Sequence, residues 1–423
     1  MPRPRTQKFD VAVVGSGPAA MIAGLSAANA GFSTALIGPV IDLDDKRTTA
    51  LLEPSIDHLK HLGLGKQLDA FATPMKTMRL LDGSRRLIRA PGVSFEAHEI
   101  GLQRFGLNCP NAKLNAALDE AIRAKQGITR FADMAEDYSL GDKDPTIRLR
   151  SGQRLSSAAI IASDGRNSAA RKSARIGTRR WSYPQTAVVG VVEHALPHDF
   201  ISTELHTETG PFTFVPMPDT HEGTHRSSFV CVLSPKLAQE MEAMDTDAAS
   251  DFMEGRSLHV LGSLKLMGTI QLWPLEGLVA SSFAKSGVFL AGEAAHAFPP
   301  IGAQGLNLSI RDVRAAVSLL TDARERGEQL SAERLARRYN SDRRVDVWSR
   351  TLAVDALNRS LLTNLPFVHV GRAAALGAAS AFPALRSNLM QLGLGPFSLS
   401  EAIKNLADAA PTGRLLERLS PSA

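Results

Sequence analysis

The sequence is poor in the residues that mark disulfide-rich, zinc-binding and nucleic-acid-binding proteins. Its two cysteines, Cys109 and Cys231, lie far apart with no CxxC or Cys/His spacing around them. This excludes a disulfide framework and a zinc motif, and it suits a reducing cytoplasm. The 48 Lys and Arg residues exceed the 43 Asp and Glu residues by five and are dispersed along the chain, which disfavours nucleic acid as a partner.

Long apolar runs are also lacking. No stretch of about twenty residues is free enough of charges and helix breakers to span a bilayer, and the basic N-terminus leads into a strand and not into a signal-peptide core. We therefore expect a cytoplasmic protein, without a transmembrane segment, that is at most peripheral at the inner face of the cytoplasmic membrane. Its 423 residues exceed what one core usually serves, which indicates two domains or one domain with a large appendage.

The first motif present is a glycine loop, GSGPAA, between a strand and a helix. The Val-rich run at residues 9–14 predicts a buried parallel strand, a helix is expected over about 18–29, and a second strand follows at 33–37. Such a strand, turn, helix and strand form a dinucleotide-binding unit. In it Gly15 permits the tight turn, and Gly17 lets the backbone approach a pyrophosphate at the helix N-terminus.

Two departures from the usual dinucleotide fingerprint follow. The third glycine position is Ala20, and the second strand ends in Gly38-Pro39 without the acid that normally binds the adenosine ribose. The acids that could substitute for it are Asp42, Asp44 and Asp45. The loop therefore predicts a dinucleotide but does not distinguish FAD from NAD.

Three later segments make that distinction. The segment DGRNSAAR at 164–171 fits the pattern DGxxSxxR, and FLAGEAAH at 289–296 resembles the GDAAH segment of flavin hydroxylases. The run HAFPPIGAQGLNLSIRD at 296–312 resembles HxxxPxxGQGxNxGxxD. On these motifs the chain resembles the single-component FAD-dependent aromatic hydroxylases, and within them the ubiquinone-biosynthesis (polyprenyl-phenol) branch. The resemblance covers roughly the first 350 residues, with deviations at Glu293, Gly302, Ala303 and Ser309.

The resemblance implies which residues build the site. Arg47 would lie along the FAD, Asp164 and Gly165 would contact flavin and nicotinamide, and Glu293 would bind ribityl or ribose hydroxyls. The full implied cofactor-binding set is Gly15, Gly17, Ala20, Arg47, Asp164, Gly165, Gly292, Glu293, Pro300, Gly302, Ala303, Gly305 and Asn307. The loop beside the flavin would present Pro300, Gly302 and Gln304. No catalytic nucleophile and no metal are expected, because the chemistry belongs to the cofactor.

The predicted fold class is α/β, with a Rossmann-like FAD-binding domain, an inserted, mostly antiparallel β-sheet substrate domain and a C-terminal helical region. Val215, Pro216 and Trp273 are expected on the pocket wall, and His296 is expected to be structural. The expected boundaries are 1–73, 100–178 and 274–330 for the first domain, 74–99 and 179–273 for the second, and 331–423 for the helical region.

The function implied is an FAD-dependent monooxygenase that hydroxylates the ring of a polyprenyl-phenol through a flavin hydroperoxide, using O2 and NADPH or NADH as a transient reductant. The tail, with Arg359, Arg372 and Arg386, could contact a membrane or a biosynthetic complex. Alternatives remain open: a prenyl-chain reductase, a halogenase (although its WxWxIP segment is absent), a hydroxylase of a soluble aromatic acid, or a non-catalytic scaffold in a quinone-biosynthesis complex.

Overall fold

A computed structural model describes residues 6–41, 45–84, 89–141, 144–301, 304–363 and 366–394. The strands are β1 (Gln7–Val14), β2 (Thr34–Ile37), β3 (Thr48–Leu52), β4 (Thr73–Met75), β5 (Thr77–Asp82), β6 (Val93–Glu96), β7 (Gly106–Pro110), β8 (Ile128–Phe131), β9 (Ala135–Ser139), β10 (Thr146–Leu149), β11 (Arg154–Ala162), β12 (Thr178–His194), β13 (Ile201–Thr207), β14 (Gly210–Met217), β15 (His225–Leu233), β16 (Leu264–Ala280), β17 (Ala284–Lys285), β18 (Val288–Leu290) and β19 (His296–Ala297). The helices are α1 (Pro18–Asn29), α2 (Glu53–His61), α3 (Gly65–Phe71), α4 (Asn111–Ala124), α5 (Ala169–Ser173), α6 (Pro235–Glu242), α7 (Thr246–Arg256), α8 (Gln304–Glu325), α9 (Glu333–Leu362), α10 (Pro366–Ala381) and α11 (Pro383–Leu394).

The first sheet has the strand order β17-β18-β11-β1-β2-β8. The pairs of β18 with β11, β11 with β1, β1 with β2, and β2 with β8 are all parallel. The register aligns Val14 with Ala162 and Ala162 with Leu290. The carboxyl ends of three adjacent strands therefore meet at one edge, and they deliver the glycine loop, the DG segment and the GEAAH segment to the same place.

The second sheet has the order β19-β16-β12-β15-β14-β13-β5-β6. All of its pairs are antiparallel except β13 with β5. A small third sheet, in the order β3-β7-β4, adds three strands. Strand β16 runs as one element through the expected boundary at 273/274, so the division of the chain into domains stays a prediction.

Helices cover the parallel sheet and form the C-terminal part. Helix α1 is apolar along most of its length and buried from Ala20 to Ala27, because it packs against the sheet as well as α4 and α8. Helices α9, α10 and α11 follow. None of the helices within the described ranges combines the length and the apolar character needed to cross a bilayer. The prediction of a Rossmann-like domain, a mostly antiparallel second sheet and C-terminal helices is confirmed.

Candidate functional site

A cavity of about 920 Å³ lies between the carboxyl edge of the parallel sheet and one face of the antiparallel sheet. The sequence-predicted site residues on its walls are Gly15, Gly17, Arg47, Asp164, Gly165, Glu293, Pro300, Gln304 and Gly305. Gly302 and Ala303 lie outside the described residues. Ala20, Gly292 and Asn307 are buried nearby but are not on the wall.

The glycine turn is held between the ends of two other strands. Gly15 has φ +134°, and a Cβ built there would lie 2.3 Å from the carbonyl oxygen of Ser163. Around Gly17, by contrast, a Cβ would meet no described atom within 4 Å. Gly17 is the N-cap of α1, whose first turn has no acidic residue and no side-chain cap in the described structure. Helix amides without an intrahelical partner and a positive dipole end thus face the cavity, an arrangement suited to a diphosphate.

The missing ribose acid has a steric explanation. A Cβ at Gly38 would lie 2.7 Å from the carbonyl carbon of Gly15, so the end of β2 passes too close to the glycine turn for a side chain. Asp42 and Asp44 lie outside the described residues. The carboxylate of Asp45 accepts hydrogen bonds from Arg47 Nε (2.8 Å) and Nη2 (2.7 Å) and from Asn111 Nδ2 (2.9 Å), so its bonds serve to orient Arg47.

Arg47 lies beside the antiparallel sheet. Its guanidinium stands 4.6 Å from the ring centroid of Trp273, and both residues line the cavity. The hydrogen bonds with Asp45 raise the pKa of Arg47. Of the other expected wall residues, Val215 lines the cavity, while Pro216 does not and accepts a hydrogen bond from Asn108 Nδ2 through its carbonyl oxygen.

The DGxxSxxR segment folds around its own polar groups. Asp164 Oδ2 accepts from the backbone N–H of Ala170 at 3.1 Å, whereas the buried Oδ1 atom has no hydrogen-bond partner among the described residues. Gly165 has φ +81° and open space around its Cα. An unpartnered buried acceptor on a cavity wall is costly unless a ligand supplies a donor, so this atom supports a bound polar molecule.

The rest of the segment is structural. The Ser168 hydroxyl oxygen caps α5 by accepting from the backbone N–H of Arg171 at 3.0 Å. The buried Arg171 guanidinium donates to the carbonyl oxygens of Ala294 and Arg166, both at 2.7 Å. Arg171 thereby ties the DG segment to the GEAAH segment and fixes their separation.

Glu293 lies at the rim of the cavity. Its carboxylate is 3.1 Å from Arg166 Nη2, and its side chain is 54% exposed. Exposed ion pairs contribute little to stability, about 0–1 kcal/mol. The Glu293 carboxylate is therefore available to a ligand at small structural cost.

The start of α8 forms another wall of the cavity. The side-chain oxygen Oε1 of Gln304 accepts a hydrogen bond from Arg350 Nη1 at 2.7 Å, which connects this wall to α9. The Ser309 hydroxyl donates to the carbonyl oxygen of Gly305 and packs against Gly292. The Asn307 side chain does not face the cavity. It bonds the backbone of Ala50 and Leu52 and so fixes α8 against β3.

A buried ionic network lies next to this wall, and one of its members, His296, also lines the cavity. His296 Nε2 is 2.7 Å from Asp312 Oδ2, and the two side chains are 2% and 1% exposed. Asp312 also accepts from the Gly292 N–H at 3.0 Å and from Arg343 Nε at 2.8 Å. Burial opposes ionisation of Asp312, but the charges of His296 and Arg343 and the hydrogen bonds outweigh it and lower the pKa of this carboxyl. His296 thus has the partners expected of a structural histidine.

Tyr138 and Glu204 line the cavity but were not predicted. The Tyr138 hydroxyl is buried with no partner among the described residues, and burial, followed by the charge of Asp164, raises its pKa. Nothing in the sequence pointed to Tyr138 as a cavity residue, because it lies among polar residues in β9. It is one of the three tyrosines of the chain. Glu204 belongs to an alternating polar face of β13, a pattern that usually indicates solvent.

The antiparallel sheet gives the cavity a mostly apolar wall. Its cavity-lining apolar side chains include Met78, Ala187, Val189, Val215, Phe229, Val230, Trp273 and Leu275. Among the described lining residues, the Arg and Lys side chains are Arg47 and Arg166, and each pairs with a carboxylate. No group of three or more His, Cys, Asp or Glu residues within the described ranges is placed to hold a metal ion.

Comparisons with known proteins agree with this geometry. A family model described as FAD binding domain matches residues 8–352. A 3-demethoxyubiquinol 3-hydroxylase from Escherichia coli (strain K12) is 26% identical over 398 residues, 92% of this chain and 99% of that protein. The ubiquinone hydroxylase UbiL from Rhodospirillum rubrum is 26% identical over 415 residues, 95% of this chain and 93% of that protein. The crystal structure of p-nitrophenol 4-monooxygenase PnpA from Pseudomonas putida DLL-E4 superposes with a TM-score of 0.74 at 16% identity, covering 93% of this chain and 100% of that one, which supports the fold alone.

Proposed function

The chain belongs to the FAD-binding-domain family, and on that premise we propose that it is an FAD-dependent monooxygenase that hydroxylates the ring of a polyprenyl-phenol in ubiquinone biosynthesis, with NAD(P)H and O2. The observation that carries the proposal is the cavity itself. A dinucleotide-type glycine turn forms one end, and a mostly apolar sheet face with no unpaired cation among its described residues forms the other.

The residues present fit FAD. The amides after Gly17 would hold the pyrophosphate, Asp164 Oδ1 would accept a donor from the cofactor, and Glu293 would bind a ribityl or ribose hydroxyl. The N-terminal end of α8 would stabilise negative charge beside the ring. FAD, when bound and reduced by NAD(P)H, would supply the activation of O2, and the protein would exclude water and orient the phenol.

The character of the sheet wall favours a neutral substrate. A soluble aromatic acid would need a cation to balance its carboxylate in a partly dry cavity. The two lining arginines are already paired, Arg47 with Asp45 and Arg166 with Glu293. A phenol with an apolar tail needs no such cation. The relatives named above as ubiquinone hydroxylases have names that agree with this class of substrate.

The tail of such a substrate resides in a membrane, so we also propose a peripheral surface contact through the C-terminal helices. Three exposed apolar side chains lie there: Val370 on α10, Leu389 on α11 and Phe382 between the two helices. Phe382 is 63% exposed. Arg359 pairs with Asp355 at 2.8 Å and Arg386 with Glu99 at 2.7 Å, so neither is an unpaired charge for lipid headgroups. The side chain of Arg372 lies outside the described residues. The contact would therefore be mainly apolar.

Turnover of a short-chain analogue tests the proposed reaction. The purified protein is expected to be yellow, and with NADPH or NADH, O2 and 2-prenylphenol to release a product with one added oxygen atom for each NAD(P)H oxidised in coupled turnover. Mass spectrometry of the product and an oxygen electrode measure both. A yellow protein that reduces a prenyl chain without consuming O2 would contradict the proposal, and so would a colourless protein that fails to take up FAD.

Deletion of the gene gives an independent result in the cell. Cells without it are expected to accumulate a quinone precursor that lacks one ring oxygen, and the missing oxygen identifies the ring position. An unchanged quinone profile in cells with no second enzyme of this family would contradict a role in this pathway.

A further inference from the structure

Two carboxylates of the antiparallel sheet line the cavity, Glu276 on β16, which is exposed, and Glu204 on β13, which lies within the mostly apolar part of the wall. Glu204 lies on β13, opposite Thr213 on β14, and the next residues across the same face are Val230 on β15 and Val189 on β12. All four line the cavity. The Glu204 side chain is 15% exposed, so its charge is placed where solvation is poor and an unpaired carboxylate would be costly.

Two neighbours hold this carboxylate. His206 Nε2 is 2.9 Å from Glu204 Oε1, and the Thr213 hydroxyl donates to Oε2 at 3.4 Å. An ionised carboxylate only accepts hydrogen bonds, so Nε2 of His206 must carry the hydrogen in this contact. The His206 side chain is almost fully buried, which fixes its ring and therefore the carboxylate. A carboxylate has about four acceptor positions, so capacity remains for a donor from the cavity.

This arrangement disfavours the binding of a ring that carries a negative charge. A substituent that carries negative charge would meet the charge of Glu204 across a poorly solvated space and be repelled. A ring hydroxyl would instead donate a charge-assisted hydrogen bond, which is stronger than a bond to a neutral acceptor. Such a bond also places partial negative charge on the ring oxygen while the proton stays on the substrate, which makes the ring more electron-rich.

We propose that Glu204, positioned by His206 and Thr213, accepts the hydrogen bond of the substrate's ring hydroxyl and thereby selects neutral phenols over rings that carry a carboxylate. This inference rests on the proposed function, because it assigns the recognition of the phenol within the same cavity. It adds a specificity-determining residue that acts through direct contact with the substrate, and His206 is a positioning residue.

Binding to the oxidised, FAD-loaded protein tests the assignment without turnover. The variants are Glu204→Gln and Glu204→Met, and the matched control is Glu193→Gln, which removes a carboxylate from β12 of the same sheet outside the cavity lining. The probes are 2-prenylphenol, its methyl ether, and a phenol with a ring carboxylate, each titrated by the change in visible absorbance of the bound flavin. A thermal unfolding midpoint for every variant checks its folding.

Loss of a charge-assisted bond is expected to raise the dissociation constant of 2-prenylphenol about tenfold in Glu204→Met. Both variants should bind the carboxylated phenol more tightly than the wild type, and the methyl ether, which cannot donate, should be unaffected in Glu204→Met. These opposite changes distinguish recognition from a structural role, which would weaken all three probes together.

Three results would overturn the inference: unchanged affinities in both variants, a uniform loss for all probes, or equal effects in the Glu193→Gln control. The proposed function fails in a different way, when the wild-type protein binds no FAD or forms no ring-hydroxylated product. If the wild type hydroxylates 2-prenylphenol and Glu204→Met binds it with wild-type affinity, only the role of Glu204 is wrong.

Discussion

Replacing Gly15 by alanine is expected to destroy the nucleotide-binding turn and with it the retention of FAD. The added Cβ would lie 2.3 Å from the carbonyl oxygen and 2.7 Å from the carbonyl carbon of Ser163, and the backbone φ of +134° is strained for any L side chain. Ser163 follows β11 at the centre of the parallel sheet, so the clashing atoms are backbone atoms that cannot swing away. Strain and overpacking together should cost about 4 kcal/mol or more in the free energy of unfolding.

The measurements are the thermal unfolding midpoint and the flavin content of the purified protein, with Gly17→Ala as the control. At Gly17 a Cβ meets no described atom within 4 Å, and the φ of −72° is ordinary for alanine. That variant should unfold near the wild-type temperature, yet bind FAD at least about tenfold more weakly, because the methyl group occupies the approach to the pyrophosphate. A Gly15→Ala protein with a wild-type midpoint would refute the steric argument.

Nearby residues in the sequence predict the local structure around these glycines but not their contacts with distant segments. The strand, turn and helix were predicted from their own residues, and the helix bounds Pro18–Asn29 agree with the structure. The sequence also predicted that Gly15 makes the tight turn, but not that the backbone of Ser163 leaves no room for a side chain there, because Ser163 is distant in sequence. The same holds for Gly38, where the absence of an acid was visible in the sequence but its cause, the backbone of Gly15, was not.

The juxtaposition of the three motifs was predictable only through the family resemblance. Local patterns identify the strands before Gly15, Asp164 and Gly292, but they do not encode that β18, β11 and β1 lie side by side. Glu204 was missed for a different physical reason. A polar alternating face on a strand usually faces water, and only the tertiary packing turns this face toward a cavity. The roles of the individual cofactor-site residues stay predictions.

The buried ionic network around Asp312 could also not be predicted from the sequence, since Asp312 is 31 positions before its partner Arg343. Replacing Asp312 by alanine is expected to lower the free energy of unfolding by about 3–5 kcal/mol, because it leaves the buried Arg343 without one of its two carboxylates and removes the acceptor of the Gly292 N–H. The matched control is Asp322→Ala on the same helix, whose pair with Arg338 spans 3.8 Å at the surface and should contribute less than about 1 kcal/mol. Denaturant unfolding of both variants measures the difference.

The pH dependence of that loss separates an ionic role from a packing role. The folded-state pKa of Asp312 lies below its usual value, because the charges of His296 and Arg343 outweigh the effect of burial. A carboxyl with a depressed folded pKa adds stability above its unfolded pKa, about 3.9, and that stability is lost as the pH falls through the folded pKa. The difference in the free energy of unfolding between the wild type and Asp312→Ala should therefore have its full size at neutral pH and disappear only below about pH 4. If this difference stays unchanged in strong acid, Asp312 stabilises the fold by filling space. If it is already absent at neutral pH, the charge of Asp312 contributes nothing.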